Sequence, residues 1–337
     1  MAEDSRILAG KRTTIYDIAR LAETSASAVS SVLNGSWQKR RISKRLAAKI
    51  TEIAEREGYS ANAQASLLRR ARSNIVGMIV PKYDNRYFGS IAEQFEAISR
   101  ARGLFPVVTC TQREPALEVE AAKELISFQA ECLIATGATD PDHLTALCEA
   151  AGVLSINLDL PGNAAVSVIS DNYGGARELT ALILDRCREI GYEGALHFVG
   201  GRPSDHNTAV RLRGFLDVHH ARGIAVPEDH VLVPGYSADR AEQAMKSLSP
   251  RDAMGIFVNS TISLEGVVRW SQGLNDAARQ RLRYGCFDYD PFAALLPSNV
   301  GMVQQNISKM LETAFDIMDT RRHPSEPILV PCVLRPC

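Results

Sequence analysis

The sequence predicts an α/β protein: a small N-terminal three-helix head followed by two lobes with parallel sheets. Three observations carry this. Thr13 to Gly35 hold two short helical apolar patterns separated by three polar residues. From Asn74 onward, short β-branched runs alternate with helical segments. That alternation then repeats, so two α/β units follow one another.

In the head, Ile15, Ile18, Ala19 and Ala22 recur at three- and four-residue steps, as do Ala28, Val29, Val32 and Leu33. The interruption at Glu23, Thr24 and Ser25 is too short for an independent loop, and the Ser25 hydroxyl can cap the second helix. This is helix-turn-helix spacing. The second helix of such a unit enters the DNA major groove, and Ser25, Ala26, Ser27, Ser30 and Ser31 supply the small outward face that approach to base edges requires. Paired amphipathic helices also occur in domains that never meet DNA. The flank favours DNA: Lys39, Arg40, Arg41, Lys44, Arg45 and Lys49 form a cationic run suited to phosphates, whereas a merely solvated face mixes both signs. Trp37, inside that run, is expected to pack against the head.

A third helix over 44–58 carries an apolar stripe of Leu46, Ala47, Ile50, Ile53 and Ala54, and Gly58 ends it. Residues 59–73 are basic and too short to form a stable helix alone; they read either as a segment ordered by DNA or as a plain linker. The expected domains are therefore a head at 12–58, a hinge at 59–73 and a two-lobed domain at 74–337.

Strands are expected at 75–81, 105–110, 132–136, 154–159 and 166–170, then at 195–200, 230–235, 255–259 and 283–288. Helices at 89–102, 117–129, 173–190, 208–222, 238–248 and 262–273 lie between them. Ligands of open parallel sheets bind beyond the carboxyl ends of the strands. Those positions hold Asp84, Asn85, Tyr87, Phe88, Asp159, Arg202, Asn259, Ser260, Asp288 and Asp290, with Arg211 one turn into its helix. Carboxylates and amides bond hydroxyl groups, aromatic faces cover a sugar ring, and arginine holds a hydroxyl, carboxylate or phosphate. Taken singly, a strand-end Asp or Asn equally well caps the next helix.

The remaining composition is mostly exclusionary. At 337 residues with 45% hydrophobic side chains, the chain is long enough for two or three domains. Its net charge of -1 excludes a nucleic-acid coat, while the first 72 residues hold far more Lys and Arg than Asp and Glu. Seven widely spaced cysteines fit buried thiols in a reducing compartment, and their spacing matches no zinc or redox motif. There is no phosphate loop, nucleophile elbow, zinc-protease helix or dinucleotide fingerprint, so neither catalytic nor metal-binding residues are expected. No apolar run is long enough for a bilayer, no secretory leader is recognisable, and a cytoplasmic protein without a membrane partner or cofactor is expected.

Thr14-Ile15-Tyr16-Asp17-Ile18-Ala19, Val29-Ser30, Leu33-Asn34-Gly35 and the Tyr59, Asn62, Ala65, Leu68 spacing together give the chain a pattern that resembles the lac-repressor (LacI/GalR) family of bacterial transcription regulators. Asn85-Arg86-Tyr87-Phe88, Arg211 to Phe215 and Phe287-Asp288 extend it through the second domain. The segments 35–43 and 259–267 are more similar to the fructose and sucrose repressor branch. The resemblance implies a periplasmic-binding-protein-like second domain, with an N-lobe at about 74–170 and 302–328 and a C-lobe at about 171–301 and 329–337. Tyr16, Ser25, Ala26, Ser27, Ser30, Asn34, Asn62 and Leu68 would meet DNA, Leu68 as a minor-groove wedge. Tyr87, Phe88, Asp159, Arg211, Asn259, Asp288 and Gln305 would meet a small sugar or sugar phosphate effector, which the branch resemblance relates to fructose. The implied protein is a homodimer on a pseudo-palindromic double-stranded operator, whose affinity the effector raises or lowers. A sugar carrier or sensor with the same lobes is the alternative, but it has no use for residues 13–72. Three departures from the family pattern stand out: Glu23 for the usual turn glycine, Ala61 for a proline and Ser31 where arginine is common.

Overall fold

The computed structural model describes residues 13–59, 73–248 and 255–337, so Asn62, Leu68 and most of the expected hinge lie outside the described residues. The chain divides at Ser73 and Asn74 into two units.

In the first unit, α1 (Ile15–Ala22), α2 (Ala26–Leu33) and α3 (Lys44–Arg56) each start on a hydroxyl cap: Thr14, Ser25 and Ser43. Thr14 and Asp17 cap each other reciprocally, satisfying two of the donors that a helix start leaves open. Helices of eight residues do not form alone. Ile18, Val29, Val32, Ile50 and Ile53 are buried together and hold them, each contributing about 1.5–3 kcal/mol. Trp37 packs on this core, as its sequence position suggested.

One residue of the expected DNA face, Ser31, is placed otherwise, and Ala26 is half-buried. Ser31 is buried at 8% exposure and donates its hydroxyl to the Ser27 carbonyl at 2.8 Å. Ala26 packs partly on the same core. Ser31 lies on the inward side of a helix only two turns long, where serine spacing does not separate the faces.

Glu23 ends α1 in the left-handed region, at φ 58° and ψ 46°. A side chain there costs about 1 kcal/mol that glycine does not incur, and the 3.8 Å contact to Lys49 is too exposed to offset it. Glu23→Gly is therefore expected to stabilise the head by roughly 0.5 kcal/mol. Amide exchange in α1 and α2 should slow; unchanged exchange would mean the turn carries no strain.

The second unit contains β1 (Ile75–Val80), α4 (Arg86–Ala101), β2 (Phe105–Cys110), α5 (Pro115–Ser127), β3 (Cys132–Thr136), α6 (Pro141–Ala150), β4 (Leu154–Leu158) and β5 (Val166–Ser170). The alternation resumes with α7 (Asn172–Arg188), β6 (His197–Val199), α8 (His206–Ala221), β7 (Val231–Leu232), α9 (Ala238–Met245), β8 (Gly255–Val258), α10 (Thr261–Gln272), α11 (Asp276–Gln280) and β9 (Arg283–Phe287). It closes with β10 (Asn299–Gln304), α12 (Ile307–Thr320), β11 (Ile328–Val330) and β12 (Val333–Pro336).

Two six-stranded sheets result, ordered β11-β5-β4-β3-β1-β2 and β12-β10-β9-β8-β6-β7. Pairing is parallel except between β10 and β12, an edge that the sequence reading of parallel sheets did not anticipate. Each sheet is covered on both faces, so its strands are nearly continuous apolar runs. The chain crosses between lobes after Ser170, at Gln305 and between Val330 and Val333. The last two crossings fall at 305 and 331 rather than near 302 and 328: β10 completes its pairing with β9 before α12 returns to pack on the first lobe.

Candidate functional site

The carboxyl ends of both sheets face a cavity of about 330 Å³. Its walls follow from strand-end backbone geometry. Asp159, after β4, and Asp288, after β9, occupy equivalent positions of the two lobes and share a left-handed backbone, at φ 73° and 70°. Aspartate tolerates that conformation better than most residues, and it turns both buried carboxyl groups into one cleft.

Arg211 enters from α8, buried at 3% exposure. Its Nε donates to Asn172 Oδ1 at 2.7 Å and its Nη1 to the Asn259 carbonyl at 2.7 Å, while its guanidinium lies 3.7 Å from the Phe287 ring centroid. Tyr87, on the first turn of α4, donates its hydroxyl to Asp159 Oδ1 at 2.9 Å and Gln305 Oε1 at 3.1 Å. Gln305 also accepts from Ser170 Oγ at 2.6 Å and donates to Asp288 Oδ1 at 2.6 Å. Asn207 Nδ2 adds a 3.3 Å bond to Asp159 Oδ1 across the lobes.

These bonds leave three groups open. Asp159 Oδ2, Asp288 Oδ2 and Arg211 Nη2 take no hydrogen bond among the described residues. Burial pushes the Asp159 carboxyl up to about 6, against the pull of Arg211 and the Tyr87 hydroxyl. Burial likewise raises Asp288, with Arg211 and Gln305 opposing. Burial disfavours the Arg211 cation, yet Asp288 and its other neighbours more than compensate, and the guanidinium stays charged.

Of the seven residues expected to meet an effector, Tyr87, Phe88, Asp159, Arg211, Asp288 and Gln305 line this one cavity. Asn259 does not. It has no exposed surface, its Nδ2 bonds Thr208 Oγ1 at 3.2 Å and Tyr236 Oη at 3.4 Å, and it braces Arg211 from behind. The strand-end rule located its position but not its side-chain direction, because β8 turns that residue inward beneath α8. Asp84, Asn85, Arg202 and Ser260 also line the cavity, and Asp290 pairs with Arg86 across the rim at 2.7 Å.

Sequence reasoning missed Asn172, Asn207 and Tyr236. The asparagines lie just inside α7 and α8, past the capping residues Asp171 and Asp205, and Tyr236 lies four residues beyond β7. Extending the search from each strand end into the first turn of the following helix would have reached them. Tyr236 donates to Asp205 Oδ2 at 2.8 Å and lies beneath two guanidinium groups, Arg113 at 5.8 Å and Arg202 at 5.7 Å from its ring centroid.

On the head, Tyr16 is 74% exposed, and Ser25, Ser27 and Asn34 are also exposed. Ser25 and Ser27 share a 2.9 Å hydroxyl contact, and Asn34 Nδ2 bonds Ser30 Oγ at 3.2 Å. With Ser30 half-buried between them, these side chains remain available to a partner while Ser31 does not.

Among the described residues no cluster suited to a metal ion is present, and no helix is long and apolar enough to cross a membrane.

Comparison with known proteins accounts for both units. The pattern of bacterial regulatory proteins of the lacI family matches residues 14–62, and that of a periplasmic binding protein domain matches 76–296. The ribitol operon repressor of Klebsiella aerogenes is 58% identical over 193 residues, covering 57% of this chain and 72% of that protein. The fructose operon regulatory protein of Vibrio cholerae is 30% identical over 215 residues, covering 63% of this chain and 64% of its own length. A lac repressor dimer solved with operator and the anti-inducer ONPF shares the fold, with a TM-score of 0.78 at 20% identity over 96% of this chain and 98% of that one. A head with this pattern joined to a two-lobed cleft places the chain in the lacI family of bacterial regulatory proteins, DNA-binding regulators rather than enzymes.

Proposed function

We propose that this chain is an operon repressor that binds a pseudo-palindromic operator as a homodimer, and that a small polyhydroxylated effector in the cleft sets its operator affinity. The three open groups at the deep end of the cavity carry this reading. A sugar or polyol hydroxyl both donates and accepts. Asp159 Oδ2 and Asp288 Oδ2 take hydroxyl protons, and Arg211 Nη2 gives one to an oxygen between them. Tyr87, Phe88 and Tyr236 supply apolar faces for the carbon chain. The ribitol and fructose relatives point to an effector of five or six carbons, with the five-carbon polyols favoured by the higher identity.

Effector control then follows from lobe geometry. A ligand bonded to Asp159 of one lobe and Asp288 and Arg211 of the other favours one lobe arrangement over another, and only such differential affinity shifts operator binding. Tyr16, Ser25, Ser27, Ser30 and Asn34 are the described residues we assign to the DNA contact; Asn62 and Leu68 complete that assignment outside the described residues.

The test uses labelled operator duplex and the full-length protein. Affinity should fall steeply as salt rises, with a log–log slope reflecting several phosphate contacts. In a thermal-shift screen, ribitol, ribulose or fructose compounds should raise the unfolding temperature, and the same compound should change operator affinity. No duplex binding at low salt would overturn the regulator reading.

A further inference from the structure

We propose that the outer end of the cleft is an anion subsite formed by Arg113, Arg202 and Arg240, and that the effector is therefore the terminal phosphate ester of a small polyol or ketose. This rests on the polyol reading of the cleft and adds its charge.

The observation is an imbalance that the overall lining conceals. Cations and carboxylates are equally numerous around the cavity, but the carboxylates are engaged or lie elsewhere. Asp205 accepts from Tyr236 Oη at 2.8 Å and from the Thr208 amide and hydroxyl at 3.0 and 2.9 Å. Glu265 is paired with Arg269. Asp84 and Glu265 also line the adjoining rim groove with Arg86 and Asp290, and none of the three arginines belongs to that groove. Asp159 and Asp288 flank Arg211 at the deep end.

Arg113, Arg202 and Arg240, by contrast, have no ion pair among the described residues. Two of them face one ring, since Arg113 and Arg202 lie 5.8 and 5.7 Å from the Tyr236 centroid. Arg113 also faces Phe88 at 5.8 Å, so it reaches both lobes. Arg240 packs against Gly235, the residue before that tyrosine. A guanidinium stacked on an aromatic face keeps its edge N–H groups free, and several such edges match the oxygens of a phosphate.

Size agrees with charge. A cavity of about 330 Å³ is at the lower end of ordinary ligand sites. Such a volume accommodates a five-carbon polyol together with a phosphate, and Arg113, Arg202 and Arg240 are among the residues that line it. The hydroxyl groups then occupy the Asp159, Asp288 and Arg211 end, and the phosphate occupies the Tyr236 end.

The experiment compares ribitol with ribitol 5-phosphate, and fructose with fructose 1-phosphate, by calorimetry on the full-length protein and on an Arg202→Gln/Arg240→Gln variant. Both substituted residues are exposed, so the fold tolerates the change, and thermal unfolding checks this. The phosphate ester of at least one pair should bind tenfold or more tightly in the parent protein, a preference that shrinks as salt rises. In the double variant the ratio of the two affinities should fall to within about twofold. Equal or tighter binding of the unphosphorylated compounds would overturn the anion subsite and leave the polyol cleft standing. A preference unchanged in the double variant would overturn the assignment to these arginines. Binding of neither class would remove the polyol reading and this inference together.

Discussion

Replacing Arg211 with leucine is expected to cost on the order of 3 kcal/mol of stability and to abolish effector binding. The guanidinium is buried and serves five neighbours: it bonds Asn172 and the Asn259 carbonyl, packs on Phe287 and offsets the charge of Asp159 and Asp288. Leucine fills much of the volume but leaves the two acceptors unpaired and the two carboxylates with no buried cation between them. Stranding buried polar groups costs more than a hydrogen bond contributes on average, which is why the loss is large.

The charge component can be separated from the packing component by pH. Burial raises the Asp159 carboxyl to about 6, so the folded state binds its proton more readily than the unfolded chain does. Stability associated with that proton is present at low pH and is lost as pH rises through about 6. Asp288 shifts in the same direction. Without Arg211 both carboxyl groups move further up, so the deficit of the variant is largest near neutrality and shrinks as pH falls. The opposite contribution of His219, whose protonation burial opposes, is common to both proteins and cancels in the difference. Urea unfolding at pH 7.5 and 5.5 measures this. Equal deficits at both values would mean that Arg211 acts by packing and hydrogen bonding alone. Asp288→Asn in the leucine background should recover part of the loss at pH 7.5.

How far such a site could be read beforehand depends on which physical signal each residue carries. Asp159 and Asp288 were legible because each closes a short run that reads as a strand, and a parallel sheet places its ligand there. The same rule located Asn259 but could not distinguish a side chain facing the cleft from one braced beneath it. Ser31 looked like part of the DNA face because serine is polar, yet a hydroxyl bonded to the carbonyl four residues back is satisfied inside a core. The alternation of strands and helices is a strong local pattern, and it located both lobes from 75 to 288. Beyond that the pattern weakened: β10, α12, β11 and β12 are short or polar-edged, and their allocation between lobes depends on long-range pairing that no local period reports. Tyr236, Asn172 and Asn207 are residue types suited to the site, but they lie past the strand ends where the rule looked. Their importance comes only from what the fold sets opposite them.

Gln305 should be where binding and lobe arrangement are most tightly joined, and Gln305→Ala is expected to weaken the effector at least tenfold and to reduce its influence on operator affinity. The residue stands at the second crossing between lobes, between β10 and α12. One side chain accepts from Tyr87 and Ser170 of the first lobe and donates to Asp288 of the second. A glutamine amide uses its oxygen for two donors and its nitrogen for one acceptor here, and no hydrophobic residue reproduces that. Alanine therefore frees the Tyr87 hydroxyl to serve Asp159 alone and leaves Asp288 Oδ1 without its donor. The two halves of the cleft lose the bond chain that makes them respond as one. Loss of affinity alone would also follow from any damaged contact, so the informative quantity is the ratio of operator affinities with and without saturating effector. Coupling between two sites is reciprocal, so this ratio must also equal the change in effector affinity that operator DNA produces. A variant with weak effector binding but an unchanged ratio at saturation would make Gln305 a ligand contact only. A ratio falling toward one, with the fold intact by thermal unfolding, would make it the joint through which the cleft reaches the head.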